Sequence, residues 1–546
     1  MARWRSTTGN RGEPAPGAGR PVSDAAPTRG RDRLVLGLVA LLLLPPIALA
    51  ARQLAAGLPD ITVGSDPALV ELATLDAARG RQLLGPYSRF GFHHPGPAMF
   101  YLLLPGYLAG GRTHGGLLLG AVALNLLGLA GVGWASGRLG DRRLALALLV
   151  VAPLLVARLG PAGISSAWNP NLVVVAFLAT VVSGAAVGLG ATALLPLLVA
   201  AGSLAAQSHL ALVGPVATVV VFAAVLRLLS RARPADDEAA AAPGSGWAVV
   251  AAAVIAVAAW APVVGEQVGS GRGNVTRIAA YLAKERPAQP VEAVFGAYGR
   301  AAGSWLVAPI GAAGSGRAAA AAGLALAALQ PVALALAVRR RRRPLEALAG
   351  VGIALAVIAL VTIRGMASPL HEYLTRWIAG LGVVHGAVLM AALLPRRLEH
   401  AEPERTGAER GWPVAVVVAA LLAAGLNLVR VAGYPSWREQ AEAPVFARIG
   451  RAGAAALAVV NCDEPVRVSI GEGASWELAA GVVLRLARER RTVGVDPAWS
   501  FMFGPAHPAP RSGARLLVCE AGPGCLAGET LWQEEGVRLA LLQKPG

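Results

Sequence analysis

Asp66, in the stretch "GSDPALVE" (64–71), is the sharpest candidate for chemistry in this sequence. A carboxylate there suits a general base acting on a hydroxyl, or a hold on a divalent cation that neutralises phosphate. Ser65-Asp66-Pro67 also reads as a helix start, with Asp66 as N-cap and Pro67 at N1. The two readings are compatible, because a capping carboxylate keeps a second oxygen for a ligand. Glu71 lies five residues further on, off the helical face of Asp66, and is the weaker acid.

A second set of candidates follows in "GPYSRFGFHHPGPAMFY" (85–101), where two prolines flank His93 and His94, with Arg89 just before them. Imidazoles there suit phosphate or sugar hydroxyls; a hydrogen-bonded, proline-stiffened interfacial loop is the plainer reading. Adjacent histidines chelate one ion poorly and no HxH or HExxH spacing occurs, which argues against a zinc site. His209 stands in "AQSHL" (206–210), where helix packing explains it equally well. Arg364, His371 and Glu372 stand in "RGMASPLHEYLTRW" (364–377), and arginines at such positions also serve as headgroup anchors. No GxSxG and no GxxxxGK[ST] occurs, so neither a serine hydrolase nor an ATP-driven machine is indicated.

The elements that position these residues are membrane spans. The chain of 546 residues is 55% hydrophobic and 15% charged, with mean hydropathy +0.56. Apolar stretches close to the length of a bilayer crossing recur from residue 34 to 430. This is a polytopic α-helical membrane protein. The net charge of +17 does not point to nucleic acid, because the arginines sit in short clusters between apolar segments.

Those clusters set a topology. Seven arginines before residue 34 place a polar, disordered N-terminus (1–33) in the cytoplasm. About eleven spans follow, near 34–51, 115–136, 143–159, 170–189, 191–207, 210–229, 247–264, 318–338, 346–363, 374–394 and 412–430. Residues 52–97 form a large first outer loop, and 98–110 are too short to cross and lie in the outer interface. This count puts "GRLGDRR" (137–143), "RLLSRARPADDE" (227–238), "RRRRRP" (339–344) and "PRRLEHAEPER" (395–405) on the cytoplasmic side. The candidate residues then share the outer face, together with the loop 265–303 and its charges Glu266, Arg272, Arg277, Lys284, Glu285 and Arg286.

Residues 431–546 also fall outside and read as a small α/β domain. "VRVSI", "TVGV", "ARLLVCE" and "VRLALLQ" read as strands and 475–491 as an amphipathic helix. All three cysteines are here; Cys519 and Cys525 are the pair closest in sequence, and three free thiols are the alternative to a disulfide.

A first span with its N-terminus inside, then a long loop with an acid early in a helix, then an interfacial helix, resembles the GT-C glycosyltransferases. "SDPALVE", "GPYSRFGFHHPGPAMFY", "AWNPN" (167–171) and "QSHL" are similar to actinobacterial-type membrane proteins of that superfamily. The resemblance implies a GT-C-like fold in the plasma membrane and inverting transfer from a polyprenyl-phosphate sugar donor to a cell-envelope glycan or lipid. It maps the family's loop acid onto Asp66 and its donor-phosphate contacts onto Arg89, His93, His94, Arg364 and His371; Glu71, His209 and Glu372 join them as substrate-contact candidates from their own placement on the outer face. The family often pairs two acids in this loop; here Asp66 is followed by Pro67, which leaves the second acid and any divalent cation unassigned.

Two other readings compete. A transporter or flippase for a lipid-linked sugar needs polar groups at mid-membrane, and His385 is the candidate. A glycan ligase or polymerase of another fold would rely on outer arginines and histidines and tolerate loss of Asp66.

Overall fold

The computed structural model of the protein describes residues 29–231, 245–307, 316–394, 407–461, 463–471, 476–522, 525 and 527–543. Most of the N-terminal tail, Cys462, the cluster at 395–405 and most of that at 227–238 lie outside these residues.

Among the described residues nine helices are long and apolar enough to cross a membrane. They are Arg33–Ala56, His114–Gly137, Arg142–Ile164, Asn169–Gly188, Leu210–Ser230, Gly246–Gly269, Gly316–Arg339, Arg343–Arg364 and Val414–Gly433. Two further expected spans are shorter apolar helices, Thr192–Ser208 and Ile378–Leu393. The Asn169–Gly188 helix is buried along its whole length and forms the centre of the bundle. Ala98–Ala109 is a helix of 12 residues, about 18 Å long against a hydrocarbon core of about 30 Å.

The stretch 265–303 is not a loop. It forms Asn274–Ala283 and most of Val291–Val307, and the second of these packs on Gly316–Ala328 and Ile378–Leu393. Its sequence, "VEAVFGAYGRAAGSWLV", lacks a long apolar run because small residues let its backbone approach its neighbours closely. A Cβ on Gly303 would collide with the carbonyl of Ala319.

Two contacts fix which ends of the helices lie together. Arg342 donates to both carboxylate oxygens of Asp141 at 2.6–2.9 Å, so "RRRRRP" and "GRLGDRR" meet on one face. At the other end of the bundle Arg52 donates to the carbonyls of Val431 (3.0 Å) and Tyr434, joining the close of the first span to the close of the last. That second face carries the first loop and the C-terminal domain.

The C-terminal domain holds a mixed sheet. Its strands are β1 (Val466–Ile470), β2 (Val493–Val495), β3 (Ala514–Glu520), β4 (Glu529–Glu534) and β5 (Val537–Gln543), in the order β2-β1-β3-β5-β4. β1 is parallel to β2 and β3, and β5 is antiparallel to β3 and β4. β4 was missing from the sequence reading because "ETLWQE" is a solvent-facing edge strand without an apolar alternation. Cys519 and Cys525 are joined by a disulfide across the end of β3. The Trp476–Arg488 helix connects β1 to β2 and lies on the Ser65–Ala78 helix of the first loop.

Candidate active site

The Ser65–Ala78 helix is nearly enclosed, with Glu71, Leu72, Thr74 and Asp76 almost wholly buried. It is packed between Ala98–Ala109 and the C-terminal domain. The structure corrects the capping reading of Asp66: the N-cap is Gly64, with no side-chain cap, and Asp66 falls in the first turn. Its Oδ1 instead accepts a hydrogen bond from the hydroxyl of Tyr87 at 2.5 Å. Burial, then the charge and hydrogen bond of Asp66, push the Tyr87 hydroxyl far above its ordinary value, so it remains a donor.

Tyr87 belongs to a short hairpin built from the His-Pro stretch. Ser88 N–H donates to Phe92 (2.9 Å) and His94 N–H to Pro86 (2.7 Å), with Tyr87 opposite His93. Asn274 clasps this hairpin, accepting from His93 N–H (2.8 Å) and donating to the His93 carbonyl (2.9 Å). Glu266 accepts from the Asn274 backbone and so holds the clasp in place. At the other end the Gln207 side chain of "AQSHL" accepts from Ala98 N–H (3.1 Å) and donates to Ala259 (2.8 Å). A Cβ on Gly96 would strike that side chain, which accounts for a glycine between the two prolines.

The two histidines are locked in opposite tautomers. His93 Nδ1 faces the Gly85 carbonyl at 3.1 Å and must donate, which leaves Nε2 a bare acceptor on the neutral ring. His94 Nδ1 accepts from Leu210 N–H at 3.1 Å, so its Nε2 carries the proton. Burial pushes His93 down to about 4, with Arg277 adding to the shift and the Gly85 carbonyl opposing it. Burial, with His209 and His93 beside it, holds His94 well below the usual range. Both rings are therefore neutral at pH 7 and offer one acceptor and one donor, not charge.

Asp66, Arg89, His93, His94 and His209 line one cavity of about 730 Å³, of a size suited to a small polar headgroup. His209 stacks on His94 with ring centres 5.4 Å apart, and its Nδ1 is buried with no hydrogen-bond partner among the described residues. Arg286 also lines the cavity, its guanidinium over the ring of Tyr281 at 4.0 Å and one terminal nitrogen buried without a partner among the described residues. Val213, Val263 and Val361, from three different spans, extend the wall toward the lipid side. Met502, Phe503 and Gly504 close it from the C-terminal domain.

The remaining expected contacts lie elsewhere. Glu71 does not reach the cavity: it is fully buried, accepting from Arg488 Nε (2.8 Å), Tyr107 (3.1 Å) and His114 (3.1 Å). A five-residue step along the helix turns it toward the C-terminal domain. Arg364 ends its span by donating to the Gln289 carbonyl (2.8 Å) and borders a separate small pocket with Lys284 and Arg286. His371 and Glu372 line a neighbouring cavity of about 480 Å³. His371 touches the main site through Arg89, which lies 2.8 Å from its Nε2, while exposed Glu372 pairs with Arg158 at 2.7 Å. His385 is fully buried and hydrogen-bonded to Tyr298 at 3.0 Å, a tie between two packed helices.

Sequence reasoning missed Tyr87 as a partner of Asp66 and passed over Arg286 within its loop of charges. It also missed Glu477, at the start of the Trp476–Arg488 helix, whose charge contributes to raising the Tyr87 hydroxyl. One Glu477 oxygen is buried without a partner among the described residues. A second acid near Tyr87 thus comes from almost 400 positions downstream, beyond any local motif. Among the described residues no group of three His, Cys, Asp or Glu side chains is gathered as a metal site would need, and Asp66 Oδ1 is already engaged by Tyr87.

No protein-family model matches the sequence, and no curated protein matches it. The chain is similar in structure to ArnT from Cupriavidus metallidurans bound to undecaprenyl phosphate, with TM-score 0.52 and 15% identity over 95% of this chain and 99% of that one. The apo form of the same protein gives TM-score 0.53 at the same identity and coverage. The chain is thus folded as ArnT is, in the GT-C architecture with a small C-terminal sheet domain.

Proposed function

We propose that this protein is a membrane glycosyltransferase that moves a sugar from a polyprenyl-phosphate donor to a cell-envelope acceptor on the outer face of the membrane. The observation that carries this reading is a single cavity holding the Asp66 carboxylate, the guanidiniums of Arg89 and Arg286, and an apolar flank from three spans. Those three features match the three parts of the chemistry: a base, a phosphate hold and a path for a lipid tail. ArnT, whose fold the chain shares, has been crystallised with undecaprenyl phosphate. The arginine clusters at the opposite end of the bundle support an outer location for this face by the positive-inside rule.

In the reaction, the acceptor oxygen forms a bond to the anomeric carbon of the donor sugar as the bond from that carbon to the phosphate oxygen breaks. Asp66 takes the acceptor proton, its carboxylate oriented by the Tyr87 hydroxyl. Arg89 and Arg286 hold the phosphate that leaves with the electron pair. Neutral His93 and His94 supply an acceptor and a donor for sugar hydroxyls. Attack from the face opposite the phosphate inverts the anomeric centre.

The test is an envelope-glycan profile of a deletion strain complemented with wild type or Asp66→Asn at equal membrane abundance. Asparagine keeps an oxygen for Tyr87 but cannot take a proton. Restoration by wild type and not by the variant supports transfer through Asp66. Full restoration by the variant removes Asp66 from the mechanism and favours the ligase or transport reading.

A further inference from the structure

A second cleft, of about 630 Å³, opens at the far end of the Ser65–Ala78 helix. Asp66 stands at the first turn of that helix and Arg79 caps its last, about 20 Å apart at 1.5 Å per residue. Seven arginines border the cleft against two acids, Asp60 and Glu489. Three of them have acidic partners: Arg81 pairs with Asp76 (2.6 Å), Arg485 with Glu489 (3.1 Å), and Arg488 with Glu71 and Asp60. That leaves Arg79, Arg112, Arg490 and Arg491 without an acidic partner among the described residues.

The ends of two helices explain part of this charge. Ser65–Ala78 and Trp476–Arg488 both terminate here, and each C-terminus carries roughly half a negative charge. Two half-charges do not balance four guanidiniums. Arg79 is itself pushed below its ordinary value by burial and by Arg81 and Arg112 beside it, with Asp76 opposing. The Nε of Arg491 is buried with no partner among the described residues. Arg112 and Arg490 sit at φ 62° and 59°, a left-handed conformation that costs an arginine energy and that Gly or Asn would adopt more readily. Repelling cations and two strained backbones converge on one cleft, and an anion would relieve the repulsion.

We propose that this cleft is a phosphate-binding site separate from the reaction cavity. A phosphate group carries one to about two negative charges and accepts paired guanidinium hydrogen bonds, so one or two such groups match these four arginines, of which Arg79 already gives one hydrogen bond to the Ala487 carbonyl at 2.9 Å. Arg112 lies in the turn between the apolar helix Ala98–Ala109 and the span that begins at His114, which sets the cleft at headgroup depth. The phosphate is therefore carried either by a lipid headgroup or by a soluble phosphorylated compound.

The test uses the full chain in nanodiscs of neutral phosphatidylcholine. Binding of inorganic tripolyphosphate is read by calorimetry, and retention of added phosphatidylglycerol by native mass spectrometry. The variant Arg112→Asn/Arg490→Asn/Arg491→Gln removes three charges while suiting the left-handed positions. The companion Arg490→Lys/Arg491→Lys keeps charge and controls for folding, together with matched thermal midpoints. At least tenfold weaker tripolyphosphate binding in the neutral variant, with the lysine variant close to wild type, supports a soluble phosphate ligand. A comparable loss confined to phosphatidylglycerol supports a lipid headgroup. Equal binding of both probes by wild type and neutral variant, or no binding by wild type, overturns the proposal.

Discussion

The Tyr87 hydroxyl donates to Asp66 Oδ1 across 2.5 Å, joining the first turn of the Ser65–Ala78 helix to the hairpin that carries His93 and His94. One hydrogen bond therefore sets the distance between the proposed base and the wall that receives the sugar. Tyr87→Phe keeps the ring packing and frees the carboxylate to rotate. We expect a fall in kcat of roughly 10-fold, against roughly 10²–10⁴-fold for Asp66→Asn, in a reconstituted transfer assay. Equal losses in the two variants would mean that Tyr87 does more than orient.

Arg286 lines the cavity that holds Asp66 and Arg89. A hydrogen bond from a charged donor to phosphate contributes about 1.5–3 kcal/mol, so Arg286→Gln is expected to raise KM for the lipid donor roughly 10–100-fold. kcat should change less than KM. Steady-state kinetics at varied donor concentration check this, and an unchanged KM would place the phosphate elsewhere.

Asp76 ties the first loop to the C-terminal domain through His507 at 2.8 Å, and Arg81 from its own loop also bonds it at 2.6 Å. Burial alone would raise its carboxyl, but the hydrogen bonds and charges of His507 and Arg81 outweigh this and hold it below 3.8. A depressed carboxyl contributes stability that is full above the ordinary carboxyl range and is lost as pH falls through the folded-state value. The thermal midpoint of wild type should drop as pH falls below the ordinary carboxyl range of about 4, and Asp76→Asn should start lower and fall less. Parallel curves would show that this tie adds nothing.

Glu71 and Arg488 form a buried ion pair between the same two bodies. Removing one partner strands a charge, so Glu71→Gln or Arg488→Met is expected to destabilise by about 3–5 kcal/mol, with the double variant recovering part of the loss. A double-mutant cycle on thermal unfolding measures the coupling. Additive losses would mean that the two side chains act independently.

The membrane architecture was legible because hydropathy and arginine placement are local, strong signals. The apolar segments expected as spans are helices, and the two described arginine clusters at 137–143 and 339–344 meet through Arg342 and Asp141. Asp66, Arg89, His93, His94 and His209 were legible because each interrupts an apolar or glycine-rich context, and all five reach one cavity. Glu71 misled because a conspicuous acid beside Asp66 turned out to bind Arg488, from a domain whose docking no sequence period reports. The helix at 291–307 was hidden for the opposite reason: small residues that pack closely look like a loop when read by hydropathy. The pairing of Tyr87 with Asp66, and the nearness of Glu477 to Tyr87, were illegible because they exist only once distant segments meet.

The wall formed by Met502, Phe503 and Gly504 bears on when the protein becomes competent. A ribosome adding about 5–20 residues per second needs on the order of 20–90 seconds to travel from Asp66 to Gly504. Throughout that interval the nascent chain holds its proposed base and its hairpin in an unfinished chamber, open where the last hundred or so residues have yet to arrive. Docking of the sheet domain through Arg488 and His507 then closes the chamber. A chain truncated before the domain would lack the wall of Met502, Phe503 and Gly504 and leave the cavity open on that side.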